Sequence, residues 1–166
     1  MGAKTYVAYN AAMPTTAAIT PVTTGTAIKT MLQIATPSTE MLRVIEWGIS
    51  FDGSAAATPG KVELIETDVA ATVTAHVAAG VMKMNGPNDV ASLVTLGTSA
   101  TGYTASAEGT TTASRVLDYQ LIAPTSQYVK QFPLGREPEV AASKFLRVRV
   151  TFGTAINAVC YVVWEE

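Results

Sequence analysis

Hydrophobic and polar residues alternate with a period of two through much of the chain, and no long segment carries apolar residues at helical spacing. The clearest alternation covers residues 41–51, where every second side chain should lie on the same face of a strand. On this pattern one face carries Met41, Arg43, Ile45, Trp47, Ile49 and Phe51. Because the turn residues Asp52 and Gly53 follow, the sequence predicts one long strand that ends there.

Shorter alternating stretches predict further strands. They cover residues 27–35, 61–67, 92–96, 115–122, 145–152 and 158–164, and residues 127–133 form an extended segment. We expect Val62 and Leu64 to point into the core. The last two strands flank the short loop 153–157, which predicts a β-hairpin.

Two segments are less regular. In residues 68–79 valines recur at a spacing of four, which suits a helix, whereas the Val and Thr content suits a strand, so both remain open. Residues 97–112 are rich in Gly, Ser and Thr, and we predict a long polar loop there.

The first 26 residues are rich in Thr, Ala and Pro and have no sustained period. Pro14 and Pro21 oppose a helix, because proline fixes φ and lacks an N–H. We predict an extended N-terminal arm over 1–26, either a disordered tail or a strap laid over a neighbouring subunit. Its apolar residues favour the strap: Tyr6, Val7, Tyr9, Met13, Ile19 and Val22.

The number of strands indicates the fold. Seven or eight short strands with turn signals between them are typical of an all-β, antiparallel β-sandwich, here a jelly-roll-like one. We therefore predict that residues 27–166 form a single β-sandwich domain.

Composition adds an expectation about surface. Only 14% of residues are charged, against about 25% in typical soluble proteins, and 24 threonines supply much of the polar surface. The net charge is −2. Because low charge removes the repulsion that opposes association, we expect a homo-oligomer or a partner to cover part of this surface.

The same composition argues against two partner classes. The densest basic cluster is Lys144, Arg147 and Arg149, which is too small for a nucleic-acid interface. No run approaches the ~18 apolar residues of a membrane helix, and the first residues lack a signal-peptide pattern, so we expect a soluble protein made in the cytosol.

Candidate chemistry is sparse, and we expect no enzymatic activity, cofactor or metal. His76 is the only histidine and Cys160 the only cysteine, and both lie in apolar surroundings that favour packing. No spacing of carboxylates selects an acid–base pair, as glycoside hydrolysis would need. Trp47 and Trp164 lie within strand patterns, which favours packing over a sugar-binding platform.

A resemblance rests on the Thr-, Ala- and Pro-rich arm, on Leu42-Arg43-Val44-Ile45-Glu46-Trp47-Gly48-Ile49-Ser50-Phe51-Asp52-Gly53, on Lys61-Val62-Glu63-Leu64 and on the predicted terminal hairpin. In style, composition and strand order the chain resembles virion proteins of tailed bacteriophages, most of all the head-decoration or minor capsid proteins of phages that infect actinobacteria.

That resemblance implies a jelly-roll-like capsid decoration protein, often a trimer, which is made in the host cytoplasm and sits on the capsid exterior. There it would clamp the major capsid protein, without catalytic residues. The alternative is a receptor- or carbohydrate-binding module of a tail fibre, which would use the loop 97–112 and an exposed Tyr103.

Overall fold

Apart from one short 3₁₀ helix, the regular secondary structure of the described residues consists of strands. The computed structural model describes residues 3–13, 16–54 and 58–166. In this part of the chain the strands are β1 (Thr5–Tyr9), β2 (Val22–Thr23), β3 (Lys29–Ala35), β4 (Leu42–Phe51), β5 (Gly60–Thr67), β6 (Thr72–Ala75), β7 (Met82–Lys83), β8 (Gly102–Ala107), β9 (Ser114–Ile122), β10 (Gln127–Gln131), β11 (Glu139–Val140), β12 (Phe145–Thr151) and β13 (Asn157–Glu165). A 3₁₀ helix covers Ala78–Gly80. None of the described residues forms a helix long and apolar enough to cross a lipid bilayer.

Two antiparallel sheets pack face to face, which confirms the predicted β-sandwich. Sheet A has the order β10-β4-β13-β1-β7, and β11 and β2 add short pairings to β4 and β13. Sheet B has the order β6-β8-β3-β12-β5-β9. Apolar side chains from both sheets fill the space between them, including the fully buried Trp47 and Trp164 from sheet A and Leu146 and Val148 from sheet B.

The pairing is nested in the manner of a jelly roll. β1 pairs with β13, β3 with β12, β4 with β10 and β5 with β9. Successive pairs alternate between the sheets, so the chain behaves as one long hairpin wrapped around the core. The tip of that hairpin lies between β5 and β9.

An insertion of residues 68–113 occupies this tip and carries β6, the 3₁₀ helix, β7 and β8. It extends sheet B beyond β3 and sheet A beyond β1. Asp68 holds its two ends together by accepting hydrogen bonds from the Thr112 hydroxyl and from the backbone N–H groups of Thr112 and Ala113. These bonds, led by that of the Thr112 hydroxyl, lower the pKa of Asp68 to about 2.

The predicted single face of residues 41–51 is wrong, because β4 contains a β-bulge. Val163 lies opposite Glu46 and Trp164 opposite Val44, which leaves Ile45 as an extra residue. An extra residue shifts the phase of the alternation. Leu42 and Val44 are therefore buried before the bulge, as are Trp47 and Ile49 after it, whereas Arg43 and Met41 are exposed.

The predicted terminal hairpin is also wrong, although both of its strands exist. β12 lies in sheet B between β3 and β5, and β13 lies in sheet A between β4 and β1. Each strand already has a partner on both edges, so neither can pair with the other. The connection 152–156 therefore crosses from one sheet to the other.

Three further segments correct or complete the sequence-based assignment. Residues 92–96 form no strand but two isolated bridges, from Thr95 to Ala35 and from Leu96 to Thr101. The segment 68–79, whose sequence suits a helix or a strand, contains strand β6. The predicted polar loop 97–112 contains β8, an interior strand of sheet B.

Gly102 explains why this last segment resembles a loop in sequence. A Cβ atom at this position would lie 2.3 Å from the carbonyl oxygen of Thr74 on the neighbouring β6. Only glycine permits that approach. Gly102, which suggests a loop in the sequence, is thus required for the close packing of β8 against β6.

Part of the range assigned to the arm is built into sheet A. β1 lies between β13 and β7, and β2 pairs with β13 at Ala158. Residues 10–13 and 16–21, which connect β1 and β2, form no strand. Pro14 lies outside the described residues, and the division of the chain at residue 26 stays a prediction.

Candidate functional site

His76 is a packed residue that ties the insertion to β1. Its side chain is buried, and its Nε2 lies 2.8 Å from the carbonyl oxygen of Tyr9, whereas its Nδ1 has no hydrogen-bond partner. Nδ1 also lies close to Gly80, where a Cβ would come within 2.6 Å of it. Burial lowers the pKa of His76. No hydroxyl or carboxylate hydrogen bonds to the ring, so the described contacts do not include those of a catalytic triad.

The other candidates for chemistry are similarly engaged in the fold. Cys160 is buried in the core, and burial raises the pKa of its thiol. Glu63 forms an ion pair with Arg149 at 2.7 Å, and Glu66 forms one with Arg115 at 2.9 Å. The described part of the chain holds no cluster of three or more His, Cys, Asp or Glu side chains that could bind a metal ion.

The basic cluster noted in the sequence also has internal partners. Arg147 is fully buried beneath the insertion, where its Nη1 donates to the carbonyl oxygen of Glu108 at 3.0 Å and lies 3.4 Å from the Glu108 carboxylate. The same carboxylate accepts a 2.6 Å hydrogen bond from the Thr30 hydroxyl. Arg147 and Arg149 therefore neutralise carboxylates of their own chain.

Two edge strands lie on the side of the sandwich opposite the insertion. Sheet B ends at β9 and sheet A ends at β10, so both edge strands lie on the side that we call the open side. Val116, Tyr119 and Leu121 line the outer face of β9 and are 57%, 47% and 66% exposed. Val129 on β10 and Leu134, which is 97% exposed, add further apolar surface.

Asp118 joins the two sheets behind this stripe. The register between β5 and β9 shifts so that Leu117 is an extra residue, and Asp118 lies opposite the inward-facing Leu64. Its Oδ2 accepts hydrogen bonds from Trp47 Nε1 at 3.2 Å and from the Tyr128 hydroxyl at 2.8 Å. The pKa of Tyr128 is raised to about 12, mainly by burial and secondly by the hydrogen bond to the Asp118 carboxylate.

The other oxygen of Asp118 binds a backbone N–H of the edge strand β9. Its Oδ1 accepts the backbone N–H of Tyr119 at 2.9 Å and the side-chain amide of Gln120 at 3.2 Å. A free N–H on an edge strand can pair with a strand of another chain. Because Asp118 already binds the Tyr119 N–H, that donor is not free to pair with another chain.

A second distinctive surface lies on the outer face of sheet A. A groove of about 190 Å³ is lined by Tyr9, Ile49, Ser50, Gln127, Val129, Val159 and Tyr161. The rings of Tyr9 and Tyr161 have centroids 5.5 Å apart and an interplanar angle of 35°. We call this surface the tyrosine groove.

The six residues predicted for the strap are all buried or half-buried within the chain itself. Tyr6 is 2% exposed, packs on Trp164 and donates a hydrogen bond to the carbonyl of Val90. Tyr9 lines the tyrosine groove and Met13 lies beside His76. The half-buried remainder of the set is Val7, Ile19 and Val22.

The aromatic residues of the glycan-binding alternative are placed differently from the prediction. Tyr103 is half-buried in β8, with its ring centroid 4.8 Å from that of His76. Trp47 and Trp164 are fully buried. Sequence reasoning missed the pair formed by Tyr161 and Tyr9. The two residues lie 152 positions apart in the chain, and only the pairing of β1 with β13 brings them together.

No protein-family model, curated protein or solved structure matches this chain.

Proposed function

We propose that this chain is a virion structural protein that decorates the outside of a phage head as a homo-oligomer, with a trimer favoured. The observation that carries the proposal is the apolar open side, formed by Val116, Tyr119 and Leu121 on β9 and by Val129 and Leu134 beyond it. Exposed apolar side chains along the edge strands of a domain of low charge indicate an interaction surface. The jelly-roll order of the strands is one that viral capsid proteins use.

Decoration needs no chemistry, only binding to an assembled shell. A protein that binds the shell but not its free subunits stabilises the shell by mass action. An oligomer does so more strongly, because its second and third contacts are intramolecular once the first has formed. In this proposal the open side joins copies of the chain or contacts the major capsid protein.

The first test is the oligomeric state of variants, measured by size exclusion with light scattering. Val116→Thr combined with Leu121→Thr removes exposed apolar surface but keeps side chains that suit a strand. We expect a defined oligomer for the wild type and a monomer for this double variant. Val77→Thr is the matched control, since Val77 is exposed on the insertion and not on the open side.

The second test is co-sedimentation of the purified protein with heads of the phage whose genome encodes the chain. We expect the wild type to bind the heads and the double variant to bind at least tenfold more weakly. A wild type that is a strict monomer and does not sediment with heads would refute the proposal.

A further inference from the structure

The tyrosine groove contains an aromatic ring that packs against the backbone of β4. Tyr161 on β13 lies opposite Gly48 on β4. A Cβ atom at position 48 would come within 2.6 Å of Tyr161 Cε1, so the ring occupies the space that any other residue would fill. The Tyr161 ring therefore lies against the backbone of β4 at Gly48.

A hydrogen bond and a second ring fix this orientation. The Tyr161 hydroxyl donates to Glu46 Oε1 at 2.5 Å. The Tyr9 ring stands beside it, with the centroids 5.5 Å apart. A ligand that stacked here would meet rings already in position, which reduces the entropy lost on binding.

The rim of the groove is polar and carries no cation. Ser50 and Gln127 are exposed, and neither side chain forms a hydrogen bond within the described part of the chain. Val129 and Val159 complete the apolar lining. No lysine or arginine lines the groove, and the Tyr161 hydroxyl is bound to the carboxylate of Glu46. This arrangement disfavours phosphates, nucleic acids and anionic sugars, which require positive charge.

We propose that the tyrosine groove binds one pyranose ring of a neutral glycan. A sugar ring presents apolar C–H groups on its faces and hydroxyls around its edge. The rings of Tyr9 and Tyr161 suit the apolar C–H groups, and the side chains of Ser50 and Gln127 can hydrogen bond to the hydroxyls. The volume of about 190 Å³ lies below the ~300–1,000 Å³ of sites for drug-sized ligands, which limits the ligand to about one ring.

The site is separate from the open side along most of its lining, so glycan binding and oligomer formation can be tested independently. Only Val129 belongs to both surfaces. A decoration protein with this groove would also attach the virion to a saccharide surface.

The experiment is saturation-transfer NMR on the wild-type protein with the methyl glycosides of glucose, galactose, mannose and N-acetylglucosamine. We expect transfer to the ring C–H protons of at least one of them. Tyr9→Ala and Tyr161→Ala should each weaken binding about tenfold, as the loss of one stacked ring predicts. Tyr161→Phe should retain most of the affinity, and Tyr119→Ala on the open side should change nothing.

Gln127→Ala keeps the test decisive if Tyr161→Ala does not fold. Gln127 is exposed at the rim, so its replacement leaves the core intact, and we expect binding to weaken several-fold. Absence of transfer from all four glycosides to the folded wild type would overturn the inference. So would affinities unchanged in Tyr9→Ala and Gln127→Ala, or a change of oligomeric state in Tyr9→Ala, which would make the groove an interface between copies.

Discussion

Asn10 extends a strand by means of its side chain. It follows β1 directly, is fully buried and donates its backbone N–H to the carbonyl of Cys160 at 3.1 Å. Its side chain then accepts the N–H of Cys160 at 2.9 Å and donates to the carbonyl of Ala158 at 3.1 Å. An amide that satisfies two buried backbone groups avoids the cost of leaving them unpaired. β13 therefore keeps its hydrogen bonds beyond the end of β1.

His76 acts at the same scale and makes stability depend on pH. In the folded protein Nε2 donates to Tyr9, and a proton on the partnerless Nδ1 would find no acceptor. Burial lowers its pKa from the ordinary 6.5, so the unfolded chain binds a proton more readily than the folded one. The contribution of His76 is present above about pH 6.5 and is lost as the pH falls toward the folded pKa.

We expect urea denaturation to show lower stability at pH 5.5 than at pH 7.5, by no more than about 1.4 kcal/mol per pH unit. His76 is the only histidine, so His76→Gln should remove most of this dependence while keeping a side-chain donor. An equal slope in the wild type and in His76→Gln would contradict the assignment.

Among the elements, β9 depends on its bulge for its connection to sheet A. The extra residue Leu117 places Asp118 between the sheets, where it binds Trp47 and Tyr128. Without Asp118 the N–H of the buried Trp47 would lack an acceptor. An unsatisfied buried donor costs about 1–3 kcal/mol.

Asp118→Ala should therefore destabilise the fold by about 1–3 kcal/mol, measured by chemical denaturation. Tyr128→Phe removes one donor but leaves the acceptor of Trp47 in place, and we expect a smaller loss. Asp52→Ala provides a matched control, because the described hydrogen bonds of the Asp52 carboxylate are with Asn157 on the neighbouring strand, at an exposed position. Equal losses in Asp118→Ala and Asp52→Ala would count against the role of Asp118 as a link between sheets.

Strands with regular alternation were predictable because their pattern depends only on neighbours in sequence. In β12 every second residue enters the core, and Val62 and Leu64 of β5 point inward as predicted. The bulge at Ile45 was not predictable, since it appears only as a register shift against β13. The exposed stripe of β9 was equally hidden, because both faces of that strand carry apolar residues and the sequence does not state which face is outside.

Over the whole molecule, the nested pairing makes the two ends of the chain neighbours. Thr5 pairs with Glu165, and the N–H of Glu166 donates to the carbonyl of Lys4 at 3.0 Å. This long-range pairing also explains why the sequence did not predict the tyrosine groove. For the same reason it did not predict that β12 and β13 lie in different sheets. No local pattern indicates which distant strands meet.

Joining residues 1 and 166 by a short linker and opening the chain between Leu134 and Gly135 should leave the fold intact. Leu134 lies in an exposed turn, where cuts are tolerated. We expect this circular permutant to unfold cooperatively on heating, like the wild type. Deletion of residues 1–10 should instead abolish the cooperative transition, because it removes an interior strand of sheet A.

A truncated chain that still unfolds cooperatively would show that β1 is dispensable and would restore the whole range 1–26 as an arm. A permutant that fails to fold would show that the contact between Lys4 and Glu166 does not reflect a stable closure of sheet A.

The hydrogen bonds of Asp68 join the ends of the insertion, so the sequence between those ends can change. Since β5 and β9 are paired up to Thr67 and Ser114, and Asp68 joins the ends of the insertion, the framework closes without help from the sequence between them. Lengthening a closed loop costs little, about 0.6 kcal/mol per doubling. A foreign peptide or a new small lobe could replace the present insertion, provided that it still shields Gln33 and Arg147. The connection between β5 and β9 is therefore the position at which this domain can carry a foreign sequence.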